Sequence, residues 1–133
     1  MSAVFCDTSA VFALFDADDA CHTEALDAWR RCWNDATGLL TTNYVVVECT
    51  ALLQRRLGVQ AARDFLHGLV DDLTVEWVTP EDHRAASLAF LAAARRGPSL
   101  VDCTSFVVMR RLGIGRALAF DGHFSDQGFE RPA

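Results

Sequence analysis

The stretch AVFCDTSAVFALF, Ala3–Phe15, runs an apolar strand straight into a helix with one carboxylate at the junction. Residues Ala3–Asp7 read as a short buried strand, and TSAVFALFD reads as the helix that follows it, with Asp7 placed to cap that helix. Working outward, the same alternation continues. ACHTEALDAWRRCWNDA repeats Ala25, Leu26, Trp29, Cys32 and Trp33 on one helical face. GLLTT is a second strand, and NYVVVECTALLQRRLG is a helix begun near Asn43 and stopped by Gly58. VQAARDFLHGLVDD aligns Ala62, Phe65, Leu66 and Leu69 as a further helix, and LTVEWV alternates as a strand. PEDHRAASLAFLAAARRG opens with Pro80 in a first helical turn and stops at Arg95, Arg96 and Gly97. SLVDCTSFVVMRRLG gives a helix from about Asp102 to Leu112, and RALAF, Arg116–Phe120, is a late strand closed by Asp121. Strands alternating with helices predict an α/β chain, a sandwich of helices on both faces of a mostly parallel sheet. Ligands of such sheets bind beyond the carboxyl ends of the strands, where Asp7 and Asp121 both fall.

The 133 residues suit a single domain, and no linker, repeat or low-complexity tract divides them. The amino-terminal run lacks a cationic leader and carries an early Asp, so it reads as a strand and helix rather than a signal peptide. No apolar run has membrane-spanning length. Cys6, Cys21, Cys32, Cys49 and Cys103 are odd in number and lack zinc-site spacing, which favours buried thiols in a reducing cytoplasm. A net charge of −6 argues against broad nucleic-acid binding by overall attraction. All twelve cations are arginine. The missing lysine counts against aspartyl phosphotransferases and receiver domains, which need one beside the phosphate. No glycine-rich phosphate loop is present either.

Each acid has an ordinary account on its own. Asp7 and Asp102 sit where helix caps belong, and Asp121 in FDGHF suits a turn. Glu48 lies along the stripe of Val45 and Leu52, where a lone Glu reaches water from the edge or pairs with an Arg. Together, four acids converging on one cleft would repel one another unless a cation neutralised them. Oxygen ligands at a semi-open site suit Mg²⁺ or Mn²⁺.

In order, VFCDTSAVFALF, TTNYVVVECTALL, SLVDCTSFVVMRRLG and ALAFDGHFSDQGF resemble the PIN-domain ribonucleases, above all the VapC-type toxins of bacterial toxin–antitoxin pairs. The resemblance spans nearly the whole chain. It implies a metal-dependent endoribonuclease whose metal-binding acids are Asp7, Glu48, Asp102 and Asp121, with Asp126 a neighbour able to share the role of Asp121. Thr8, Ser9 and Ser105 fall where the family carries hydroxyls near its site. Ala119 departs from a frequent Thr or Ser, which removes a supporting hydrogen bond but no ligand. The resemblance further implies an RNA substrate, a small antitoxin partner and a homodimer. The contrasting possibility is a catalytically degenerate module that keeps the fold for binding.

Overall fold

The computed structural model describes residues 3–35, 37–93 and 96–132. Its strands are β1 (Ala3–Cys6), β2 (Gly38–Thr42), β3 (Thr74–Glu76) and β4 (Ala117–Leu118), all parallel, in the order β3-β2-β1-β4. Phe5 lies opposite Leu40 on one side and Ala117 on the other, so β1 is central. Successive strand side chains point to opposite faces, and Val4, Phe5 and Cys6 are all fully buried. Both faces of the sheet are therefore covered, as the α/β sandwich requires.

The helices are α1 (Thr8–Phe15), α2 (His22–Asn34), α3 (Asn43–Leu57), α4 (Val59–His67), α5 (Pro80–Ala92), α6 (Leu100–Leu112) and α7 (His123–Asp126). The stripe Val45, Cys49 and Leu53 buries α3 against the core, and Ala62 with Phe65 does the same for α4.

Four local expectations are corrected. Helix α2 packs through Ala25, Ala28 and Cys32, while Trp33 is 59% exposed. The helix after Gly58 ends at His67, and Leu69–Asp72 form a short 3-10 turn. A Cβ on Gly68 would meet the Asp64 carbonyl oxygen at 2.8 Å, so that close turn is reserved for glycine. Helix α5 ends at Ala92, ahead of the expected Arg95–Gly97 stop; Arg95 lies outside the described residues. The late strand pairs with β1 only over Ala117–Leu118, because the Phe120 N–H is taken by the Ser9 hydroxyl (3.0 Å) rather than by a neighbouring strand.

Helices α5 and α6 are clamped together by Arg111, whose guanidinium donates to both carboxylate oxygens of buried Asp82 (3.0 and 2.8 Å) and to Glu76 (3.3 Å). The Arg111 hydrogen bond and its positive charge hold the Asp82 carboxyl below its usual range despite burial. A depressed folded-state value adds stability above the ordinary carboxyl range, and the gain disappears as pH falls through the folded-state value. Arg111→Ala is therefore expected to cost about 1–2 kcal/mol at pH 7, discounted from a fully buried pair because Arg111 is 36% exposed. Urea denaturation checks this: the deficit should shrink in acid, where Asp82 is protonated in wild type and variant alike.

Candidate metal centre

Asp7 ends β1, and its amide still donates to the Leu118 carbonyl (3.1 Å), so the ladder with β4 fixes its backbone. It then caps α1, its Oδ2 accepting from the Ser9 N–H (3.2 Å) and the Ser9 hydroxyl (2.8 Å). Because that hydroxyl also accepts the Phe120 N–H, one side chain joins the end of β1 to the segment after β4. This tie works without a hydroxyl at position 119, where Ala119 is simply buried. The other Asp7 oxygen, Oδ1, is buried and has no hydrogen-bond partner. A buried carboxylate oxygen left unpaired is costly, and it marks a place for a cation or proton.

Asp102 is the third residue of α6 rather than its cap. Ser99 is the cap: its hydroxyl accepts the Asp102 N–H, and Asp102 Oδ2 accepts the Ser99 N–H, both at 3.1 Å. The reciprocal box leaves a carboxylate at a helix N-terminus, where the dipole favours an anion. The spacing Ser99-x-x-Asp102 carried that signal in the sequence.

Asp121 follows β4, and its Oδ1 accepts the His123 N–H at the start of α7 (3.0 Å). Phe124 anchors α7 by packing edge-on against Phe106 of α6, with ring centroids 4.9 Å apart. The same α6 carries Asp102, so this aromatic contact sets Asp121 beside Asp102.

One carboxylate oxygen each from Asp7, Asp102 and Asp121 falls within 4.8 Å of the others. Burial pushes the Asp7 carboxyl up to about 7, against the Ser9 hydrogen bonds, with the charges of Asp102 and Asp121 adding to the rise. Burial also raises Asp102, again with Asp121 adding to it. Both shifts say that protein groups compensate the negative charges only in part. A hard divalent cation with oxygen ligands fits this donor set, since it would satisfy Asp7 Oδ1 and neutralise the trio.

The structure does not bring Glu48 or Asp126 into that trio. Glu48 is half-buried on α3, next to Cys49, whose thiol burial and the nearby Asp7 and Glu48 charges keep protonated. Asp126 is exposed on α7. Thr8 is buried beside Asp7, whereas the Ser105 hydroxyl donates to the Val101 carbonyl within its own helix (3.0 Å).

Comparison with known proteins agrees with this architecture. The PIN domain family profile matches residues 4–130. The chain is 39% identical over 127 residues to proteins named 23S rRNA-specific endonuclease VapC20 from two strains of Mycobacterium tuberculosis, covering 95% of each chain. The crystal structure of M. tuberculosis VapC20, described as a sarcin–ricin loop cleaving toxin, superposes with a TM-score of 0.85 at 38% identity, covering 98% of each chain. With the family profile matching nearly the whole chain and the fold superposing along its length, the chain belongs to the PIN domain family.

Proposed function

We propose that the chain is the endoribonuclease toxin of a toxin–antitoxin pair and hydrolyses an RNA phosphodiester at the Asp7–Asp102–Asp121 centre. The observation that carries it is the convergence of three carboxylates around a buried, unpartnered Asp7 oxygen. A degenerate binding module has no need of that arrangement.

Asp7, Asp102 and Asp121 would hold Mg²⁺, with Mn²⁺ as a substitute and Glu48 as the fourth acid at the edge. When bound, such an ion supplies a water of lowered pKa and charge to offset that developing on the phosphate. The protein's own part is positional. Ser9 fixes the Asp7 carboxylate, the Ser99 box fixes Asp102, and the His123 amide fixes Asp121. Water adds to phosphorus, the bond to the 3′-oxygen breaks, and that oxygen takes a proton, leaving 5′-phosphate and 3′-hydroxyl ends. Glu48 would serve as a fourth ligand or orient the water. Glu48→Gln should then slow cleavage by about 10- to 100-fold with an unchanged melting temperature, the cost typical of losing a supporting group around a metal. Full activity in a folded Glu48→Gln protein would remove it from the site.

The VapC20 likeness makes 23S rRNA, at its sarcin–ricin loop, the first substrate to test. It also implies a small antitoxin; the acids of the centre need a counter-charge, which an Arg of that partner would bring, and the free cysteines favour a reducing, cytoplasmic setting. No helix among the described residues is long and apolar enough to cross a membrane. A homodimer is the assembly the resemblance implies, and Leu88 and Leu91, both exposed and three residues apart on α5, offer it an apolar contact. The deciding experiment incubates purified protein with a sarcin–ricin hairpin in Mg²⁺, Mn²⁺ or EDTA. A single cut, lost in EDTA, is the expected result. Cleavage undiminished by EDTA would overturn the metal-dependent reading.

A further inference from the structure

A second recess lies outside the acidic trio. It is an open groove of about 490 Å³ lined by Tyr44, Val78, Pro80, His83 and Arg84. That volume is in the range of small-ligand sites. The Tyr44 hydroxyl and His83 Nδ1 share a 2.7 Å hydrogen bond, and their rings meet edge to face at 5.8 Å. Each ring thus holds the other in place. Arg84 stands beside them without an acidic partner among the described residues. Trp77, immediately before Val78, is 70% exposed.

The recess opens on the same edge of the sheet as the acids. Tyr44 follows the end of β2 and Val78 follows the end of β3, and both strands run parallel to β1, which ends at Asp7. Strand β3 is two places from β1, a separation of about 10 Å. On α3, Tyr44 lies one turn before Glu48. A strand of RNA with a phosphate at the trio would therefore lay a neighbouring nucleotide over the recess.

Resting on the nuclease reading above, we propose that this recess is a nucleobase subsite that receives an unpaired base flanking the scissile phosphate. Preordered rings and the apolar walls of Val78 and Pro80 supply stacking surface, and Arg84 supplies a cation for the adjoining phosphate. The chain's net charge of −6 provides no general attraction for RNA, so local stacking and one local cation carry unusual weight here. A second copy of the chain is the rival occupant.

Tyr44 is the only tyrosine, so ring-labelled tyrosine gives one set of NMR signals without an assignment problem. The test titrates labelled Asp7→Asn protein, which cannot consume its ligand, with a single-stranded oligoribonucleotide carrying the loop sequence. The Tyr44 ring signals should shift on binding, and Kd should weaken about tenfold in Tyr44→Ala or Arg84→Ala, as for loss of one stacked base. An abasic site at one position of the oligonucleotide should cost the same factor, and the two losses should not add. The binding readout does not depend on cleavage. Tyr44-dependent binding by a wild type that never cuts RNA keeps the subsite and defeats the nuclease reading. Cleavage by wild type with Tyr44 signals indifferent to RNA defeats the subsite and keeps the nuclease. Tyr44 signals that move with protein concentration alone would assign the face to a second copy and overturn the proposal.

Discussion

Asp7→Asn is expected to abolish RNA cleavage while making the metal-free protein more stable, two large effects of opposite sign. For cleavage, the substitution removes the most buried acid of the trio, and a loss on the order of 10³-fold is expected, comparable to deleting a principal electrostatic contact at a reaction centre. For stability, the sign follows from the Asp7 carboxyl, raised from 3.8 to about 7 by burial and then by the neighbouring acids. A carboxyl whose folded-state value is raised binds more protons folded than unfolded between those two values. Stability therefore falls as pH rises from about 4 to about 7 and stays low above. The shift corresponds to on the order of 2–4 kcal/mol at pH 8. Asn keeps an oxygen for the Ser9 donors and carries no charge, so it escapes that penalty. Urea denaturation in EDTA at pH 5 and pH 8 measures the effect: the variant should gain mainly at pH 8. Added Mg²⁺ should stabilise wild type and narrow the gap, since an ion that binds only the folded state raises its stability. A variant that cuts RNA normally, or one destabilised equally at both pH values, would contradict the account of this centre.

This opposition says why the carboxylate stands where it does. A short parallel strand delivers Asp7 to the carboxyl edge of the sheet, and burial there is unfavourable for a bare anion. The fold tolerates the strain because its core is otherwise well closed around Phe5, Leu53, Phe65 and Met109. Stability given up at a reaction centre is a common trade for activity.

Most of the architecture was legible in the sequence because the signals were local. A fully apolar Ala3–Cys6 run, the stripe of α3, Pro80 at a first turn and Gly58 and Gly113 at helix ends each rest on backbone physics that neighbours do not override. Gly113 has φ +71°, the left-handed position that ends α6. The misreadings came from long-range choices. Trp33 repeats at the right interval for the α2 face, yet the small Ala28 is what fits against the core, so the large ring is left in solvent. The late strand was overdrawn because the hydroxyl that captures the Phe120 amide comes from Ser9, more than a hundred residues earlier. For the site, Asp7 and Asp121 were readable as strand ends and Asp102 as an acid at a helix mouth. Glu48 was placed by its stripe, but a stripe position sets only the direction of a side chain. It does not set the distance to the trio, and the three-carboxylate group forms without it.

Asp121 and Asp126 provide the sharpest remaining contrast, because both belong to FDGHFSD and only the fold separates them. Asp121 precedes α7, its carboxylate is tied to the His123 amide, and an oxygen of it lies within 4.8 Å of those of Asp7 and Asp102. Asp126 ends α7 and is exposed. Asp121→Asn should therefore reduce cleavage by about 10²- to 10³-fold, while Asp126→Asn should leave it within about twofold, as expected for a surface substitution. The two can be exchanged only if α7 moves, and its anchor resists that: Phe124 is 3% exposed and contacts Phe5, Phe106 and Phe129. Phe124→Leu keeps most of the apolar volume but loses the edge-on fit to Phe106. It should lower activity more than its melting temperature suggests, by loosening Asp121 against Asp102. Steady-state cleavage of the hairpin at saturating Mg²⁺ distinguishes the cases. A large loss in Asp126→Asn with Asp121→Asn unaffected would place the third acid of the centre on α7 instead of before it.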